Sequence, residues 1–199
     1  MLKVGLTGSM AAGKSTVAEM FAGLGAPVFS ADEAVHALYA PGGAAVAPVL
    51  AAFPEAAGEE GGVDRARLSR IIAKDREALQ RLEKIVHPLV AQARDAFFRR
   101  AARAGAPYAI AEIPLLHESG AQSGLDLVIA VSAPRPLRRA RALRRPGMTE
   151  EKWNRLEGRQ LSDAEKRADA HFTIDTSGSR EDTLRQVREI HQRLLRPPA

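Results

Sequence analysis

The sequence predicts an α/β fold: a parallel sheet of five strands with helices on both faces, and a long helical stretch inserted after the second strand. Three observations predict it. Five short apolar runs, at residues 2–7, 27–30, 108–113, 126–131 and 171–175, are separated by stretches with helical or loop character. Residues 44–104 hold apolar positions at helical spacing and no convincing strand. Between the first apolar run and a helical pattern lies Gly8-Ser9-Met10-Ala11-Ala12-Gly13-Lys14-Ser15, which fits G-x-x-x-x-G-K-[ST] in a strand–loop–helix setting.

Each element has its own signal. Residues 2–7 read as a buried strand, and Val17, Ala18, Met20, Phe21 and Leu24 give the helix that follows the loop. Residues 27–30 form the second strand, and 32–39 a short helix closed by Pro41-Gly42-Gly43. Pro54 and the 58–62 run mark a loop. Leu68, Ile71, Ile72, Leu79, Leu82, Ile85 and Val86 then recur at helical spacing. His87-Pro88 is expected to break that pattern, which resumes over 89–103 and ends at Gly105-Ala106-Pro107. The third and fourth strands follow at 108–113 and 126–131. Pro134 and Pro136 open a basic helix that Pro146-Gly147 stops. After the fifth strand, Ser179-Arg180-Glu181-Asp182 caps a last helix over 183–195, and 196–199 is a tail.

At 199 residues the chain fits one domain, or one core with insertions. It has no cysteine, which removes disulfides, thiol catalysis and thiolate metal sites. No apolar run approaches the ~18 residues that span a bilayer. The apolar start is too short for a signal peptide, so a cytoplasmic protein is expected. The net charge of +5 is concentrated: Arg135, Arg138, Arg139, Arg141, Arg144 and Arg145 share one short segment. No aromatic residue interleaves with them, which favours a polyanionic small molecule over nucleic acid.

The glycine-rich loop carries the sharpest chemistry. Backbone N–H groups from Gly8 through Thr16, including those of Ala11, Ala12 and Gly13, can turn toward phosphate oxygens. Lys14 reaches the β- and γ-phosphates, and the Ser15 hydroxyl can ligate Mg²⁺. Asp32, just past the second strand, either accepts a proton from an attacking hydroxyl or simply caps the helix that begins there. Glu112, ending the third strand, can orient Mg²⁺ through water, hold the acceptor, or cap a strand end in solvent. Leu115 and Leu116 suggest a wall for an apolar or planar group, with Glu118 beyond them; a plain core is the other reading. Arg138, Arg141 and Arg145 fall on one helical stripe, as a phosphate-closing lid requires, although a charge run is more commonly a solvated face. His87 beside a proline fits packing or capping at least as well as ligand binding. The scattered histidines offer no zinc site.

These pieces together resemble the dephospho-coenzyme A kinase family nearly end to end. The opening Val4-Gly5-Leu6-Thr7-Gly8 through Gly13-Lys14-Ser15-Thr16-Val17-Ala18 is similar to the family's start. Ser30-Ala31-Asp32 is similar to its Asp-x-Asp element. Asp64-Arg65 with Leu68, and Leu82-Glu83-Lys84-Ile85-Val86-His87-Pro88-Leu89-Val90, resemble its helical substrate region. Ile113-Pro114-Leu115-Leu116-His117-Glu118 resembles its Pro-Leu-Leu-Phe-Glu. Arg141, Arg145, Arg159-Gln160, Glu165-Lys166 and Ala168-Asp169 fall on its lid and the stretch after it.

The resemblance implies a P-loop kinase-like fold. A nucleotide core would comprise 1–40, 106–133 and 168–199, with a coenzyme-A-binding helical insertion at 41–105 and a helical lid at 134–167. It implies transfer of the ATP γ-phosphoryl group to the ribose 3′-hydroxyl of dephospho-coenzyme A, with Mg²⁺ accompanying ATP. By resemblance Asp32 is the catalytic carboxylate and Arg141 the lid arginine, with Arg145 beside it. His87, Glu112, Leu115, Leu116 and Glu118 fall on the acceptor side. Five positions depart from the pattern: Ser30 and Glu112 stand where Asp is usual, His117 for Phe, Arg138 for Gln and Thr176 for Asn. Rival readings are a nucleoside or nucleoside monophosphate kinase and an RNA-binding P-loop protein. A GTPase is disfavoured, because Asn-Lys-x-Asp is absent.

Overall fold

The computed structural model describes residues 1–114, 116, 122 and 124–196. The chain divides into two compact units, 1–29 with 98–199, and 30–97.

The first unit is built on the sheet. Its strands are β1 (Leu2–Gly8), β2 (Val28–Ser30, ending at the unit boundary), β3 (Tyr108–Glu112), β4 (Leu127–Ser132) and β5 (Phe172–Asp175). They lie in the order β2-β3-β1-β4-β5. The β1–β3, β1–β4 and β4–β5 ladders are all parallel. Successive side chains of a strand alternate between faces. Val4 and Leu6 accordingly join Ile110, Ile129, Val131 and Ile174 in a core covered by α1 (Lys14–Gly23) and α9 (Arg180–Leu195). Val17 and Phe21 of α1 and Val187, Ile190 and Leu194 of α9 supply the helix side of that core. Gly5 faces the other way, with Leu116 and Leu125 over it. Leu116, expected in an acceptor wall, is fully buried there and belongs to the core.

The basic segment forms α6 (Arg135–Leu143), followed by α7 (Glu150–Glu157) and α8 (Asp163–Ala168). Thr149 caps α7, and Ser162 with Glu165 makes a capping box at α8. Ser179 with Asp182 makes the box expected at the start of α9.

The second unit is helical, as its periodicity predicts. It contains α2 (Ala31–Tyr39), α3 (Val46–Ala52), a 3-10 turn (Pro54–Ala56), α4 (Arg65–Lys74) and the larger part of α5 (Arg76–Arg103). Tyr39, Val49, Phe53, Val63, Leu68, Leu82 and Val86 form its core. The expected break at His87-Pro88 does not occur: α5 runs through it as one helix of 28 residues. An interior proline costs about 3 kcal/mol through a lost hydrogen bond and a ring clash. Leu82 and Val86 before it, and Leu89 and Val90 after it, pack on the same core. Each buried apolar side chain contributes about 1.5–3 kcal/mol, which is enough to hold the helix together.

No helix among the described residues is long and apolar enough to cross a membrane.

Candidate active site

The loop between β1 and α1 is shaped by three residues. Gly8 lies so close to β4 that a Cβ would come within 2.5 Å of the Val131 carbonyl oxygen, so no side chain fits. Gly13 caps α1 in the left-handed region at φ 92°. Ala11 sits at φ 61°, the one non-glycine residue with positive φ among those described. That conformation costs an L-residue roughly 1–2 kcal/mol. Ala11 is held there by packing against Ala142 and Trp153.

Backbone donors in the loop separate into two groups. The Met10 N–H donates to the Gln160 side chain at 2.9 Å, and the Ala12 N–H to the Ser9 carbonyl at 3.1 Å. The N–H groups of Ser9, Ala11, Gly13, Lys14, Ser15 and Thr16 have no protein acceptor among the described residues. The first N–H groups of a helix lack intrahelical partners, and the helix dipole makes this end favourable to an anion.

Glu112 lies beside this loop because β3 pairs with β1 and ends at Glu112, opposite Leu6. One of its oxygens, Oε1, accepts from Lys14 Nζ at 2.9 Å and from Ser15 Oγ at 2.9 Å. Glu112 is buried, so the carboxylate balances the lysine charge where water does not. These contacts and its burial exclude the reading of Glu112 as a strand cap in solvent.

Arg141 of α6 reaches the other edge of the loop. Its guanidinium donates to Thr176 Oγ1 at 3.1 Å and to the Thr176 carbonyl at 2.7 Å. Arg138 does not share that position, contrary to the predicted stripe. It is buried, forms a two-pronged ion pair with Glu157 at 2.7 and 2.9 Å, and lies over the Trp153 ring. The helix ends at Leu143, before Arg145, so the three arginines do not form one helical stripe, and Glu157 holds the Arg138 guanidinium in the interior. Arg145 is exposed, and no side-chain hydrogen bond or ion pair of it is found among the described residues.

Asp32 and His87 belong to the second unit. The cap of α2 is Ser30, whose hydroxyl accepts from the Glu33 N–H at 3.2 Å. Asp32, in the first turn, is exposed and takes no part in the cap. Serine and aspartate are interchangeable as caps, so the Ser30 departure leaves α2 intact. His87 is exposed on α5. Leu115, His117 and Glu118 lie outside the described residues.

Glu157 and Trp153 shape the site without having been singled out, while Gln160 and Thr176 entered only through the family resemblance. The Thr149 cap is the local signal for α7, the helix that carries Trp153 and Glu157.

Whole-chain comparisons identify the family. A family model described as dephospho-CoA kinase matches residues 2–182. The chain belongs to the dephospho-CoA kinase family. It is 48% identical to a dephospho-CoA kinase of Brucella melitensis over 199 residues, all of this chain and 98% of that protein. A dephospho-CoA kinase of Rhizobium meliloti is 48% identical over 96% of each chain. Among solved structures, a dephospho-CoA kinase from Campylobacter jejuni superposes with a TM-score of 0.67 at 25% identity, covering 96% of both chains. A shikimate kinase from Acinetobacter baumannii shares the fold, with a TM-score of 0.53 at 17% identity, over 98% of this chain and 93% of that one. As a dephospho-CoA kinase, the enzyme transfers phosphate from ATP to dephospho-CoA, the final phosphorylation in coenzyme A synthesis.

Proposed function

We propose that the β1–α1 loop holds the ATP triphosphate and that Asp32 activates the ribose 3′-hydroxyl of dephospho-coenzyme A. The supporting observation is the donor set: four adjacent N–H groups without an acceptor among the described residues, with Lys14 and Ser15 at the same helix end. In this reading Lys14 leaves Glu112 for the β- and γ-phosphates as the nucleotide enters. Ser15 and Glu112 supply the hard oxygen ligands that suit Mg²⁺, Ser15 directly and Glu112 through water. The ion, when bound with ATP, offsets charge on the bridging phosphate oxygens.

Asp32 orients the 3′-hydroxyl and accepts its proton as the oxygen attacks the γ-phosphorus in line. The bond from that phosphorus to the β-γ bridging oxygen breaks, and ADP leaves. Arg141 stabilises charge on the transferring group, with Arg145 free to join it. The 30–97 unit, with His87, takes the acceptor, and 134–167 serves as the lid. Such chemistry is chiefly positioning and electrostatics.

The direct test is an ADP-release assay with dephospho-coenzyme A beside adenosine, AMP and shikimate, with the product phosphate located by ³¹P NMR. Turnover confined to dephospho-coenzyme A, with the phosphate on the 3′-oxygen, is the expected result. Equal turnover of AMP would refute the acceptor assignment.

A further inference from the structure

Thr176 follows β5, in a loop where the family pattern usually has asparagine, and the mechanism above makes no use of it. It is 6% exposed, and its polar atoms engage three separate parts of the first unit. Its N–H donates to the Ser132 carbonyl at 2.9 Å, at the end of β4. Its carbonyl and hydroxyl oxygens accept from the two terminal nitrogens of Arg141. Its hydroxyl donates to the Ala12 carbonyl at 2.6 Å. The Ser132 carbonyl is more distant from that hydroxyl, at 3.3 Å, so its single proton goes to Ala12.

The Ala12 contact fixes a peptide group as well as a carbonyl. The described chain has no cis peptide, so the Gly13 N–H points opposite to the Ala12 C=O. Anchoring that carbonyl on Thr176 turns the Gly13 N–H away from Thr176, and this N–H is one of those in the loop without a protein acceptor among the described residues. Gly13 itself packs on the threonine: a Cβ there would meet Thr176 Oγ1 at 3.4 Å. One hydroxyl therefore sets the direction of a loop donor and the resting place of the lid arginine.

We infer that Thr176 is a positioning residue for the nucleotide: its hydroxyl aims the Gly13 N–H at ATP phosphate and couples that donor to Arg141. This rests on the assignment of the β1–α1 loop to ATP. The coupling is a relay, from guanidinium N–H to hydroxyl oxygen and from hydroxyl proton to Ala12 carbonyl. Removing the hydroxyl leaves the buried Ala12 carbonyl without its acceptor role filled and takes one of two partners from Arg141.

The test compares Thr176→Ala with Thr176→Ser, which keeps the hydroxyl, by titration calorimetry of ATP binding and by steady-state kinetics. Thr176→Ala is expected to weaken ATP binding about tenfold, the effect of an orphaned buried acceptor. Its KM for dephospho-coenzyme A should stay within about twofold, and Thr176→Ser should restore ATP affinity. With Arg141→Ala as background, Thr176→Ala should lose its effect on kcat but keep its effect on ATP affinity, because the Ala12 contact does not run through the arginine. If Thr176→Ala does not fold, Thr176→Cys, with a weaker donor, replaces it. ATP affinity of the hydroxyl-free variant within twofold of wild type would overturn the inference. So would equal losses in the Ser and Ala variants, or kcat losses that simply multiply in the double variant. A wild-type enzyme that fails to bind ATP would instead refute the loop assignment.

Discussion

Lys14 and Ser15 share one carboxylate oxygen of Glu112, and in the proposed function Lys14 exchanges that partner for the phosphates of ATP. Lys14→Ala should abolish most turnover, read by ADP release. Asp32→Asn should lower kcat by about 10²–10⁴-fold, the usual worth of a general base. Because Ser30 and not Asp32 caps α2, Asp32→Asn should leave the urea midpoint unchanged, whereas Ser30→Ala should cost about 1 kcal/mol. Near-normal turnover by Asp32→Asn would remove it as the base. Arg138→Ala should destabilise the fold by about 3–5 kcal/mol, because it strands Glu157 without its buried partner. A urea titration with Arg145→Ala, expected within about 0.5 kcal/mol of wild type, makes the contrast. At this scale the loop residues were legible in the sequence, since each motif position has one chemical task. The separation of Arg138 from Arg141 was not: spacing reports a shared face, and the Glu157 partner lies on another helix. Position alone left Asp32 balanced between cap and base, the family resemblance favoured the base, and the cap itself is Ser30.

The strands and their order along the chain were readable because parallel strands, buried on both faces, appear as short apolar runs. The helix α3 and the polar helices α7 and α8 were harder. They are short, α7 buries only Trp153 and α8 only Lys166, and their start signals sit in capping residues rather than in apolar periodicity. Pro88 misled for a related reason: a local rule for helix breaking was outweighed by apolar residues packing on either side of it. Pro88→Ala should therefore stabilise α5 by about 2 kcal/mol, the helix penalty less the proline's restriction of the unfolded chain. A lowered urea midpoint would show that the proline is required. The helix starts also set an acid limit. Asp64 is held below its ordinary 3.8 mainly by the Arg67 N–H, and Asp182 below the same value by the Ser179 hydroxyl. Glu165 is held below its ordinary 4.5 by the Ser162 hydroxyl. Groups depressed on folding stabilise fully above their unfolded values and lose that contribution as pH falls through the folded ones. Helix content followed by circular dichroism should hold down to about pH 4.5 and decline below it, and Asp64→Asn with Asp182→Asn should flatten that decline.

For the molecule as a whole, ATP binding should couple to folding stability. Ligand at 100 times its Kd adds about 2.7 kcal/mol. In a chain of this length that corresponds to a rise in Tm of roughly 5–10 °C, and Lys14→Ala should abolish it. The division into a sheet-based unit and a helical unit was visible as the strand-free stretch 44–104. Its limits at 30 and 97 were not, because α2 continues directly from β2 and α5 crosses the second boundary without a break. One further consequence concerns the single indole of this chain. Trp153 is fully buried against Ala11, the strained residue of the phosphate loop, and its Nε1 has no hydrogen-bond partner among the described residues. The enzyme therefore contains its own optical gauge. Its fluorescence should lie at the blue end of the tryptophan range, and under the proposed function the intensity should change as ATP binds, with no dye attached.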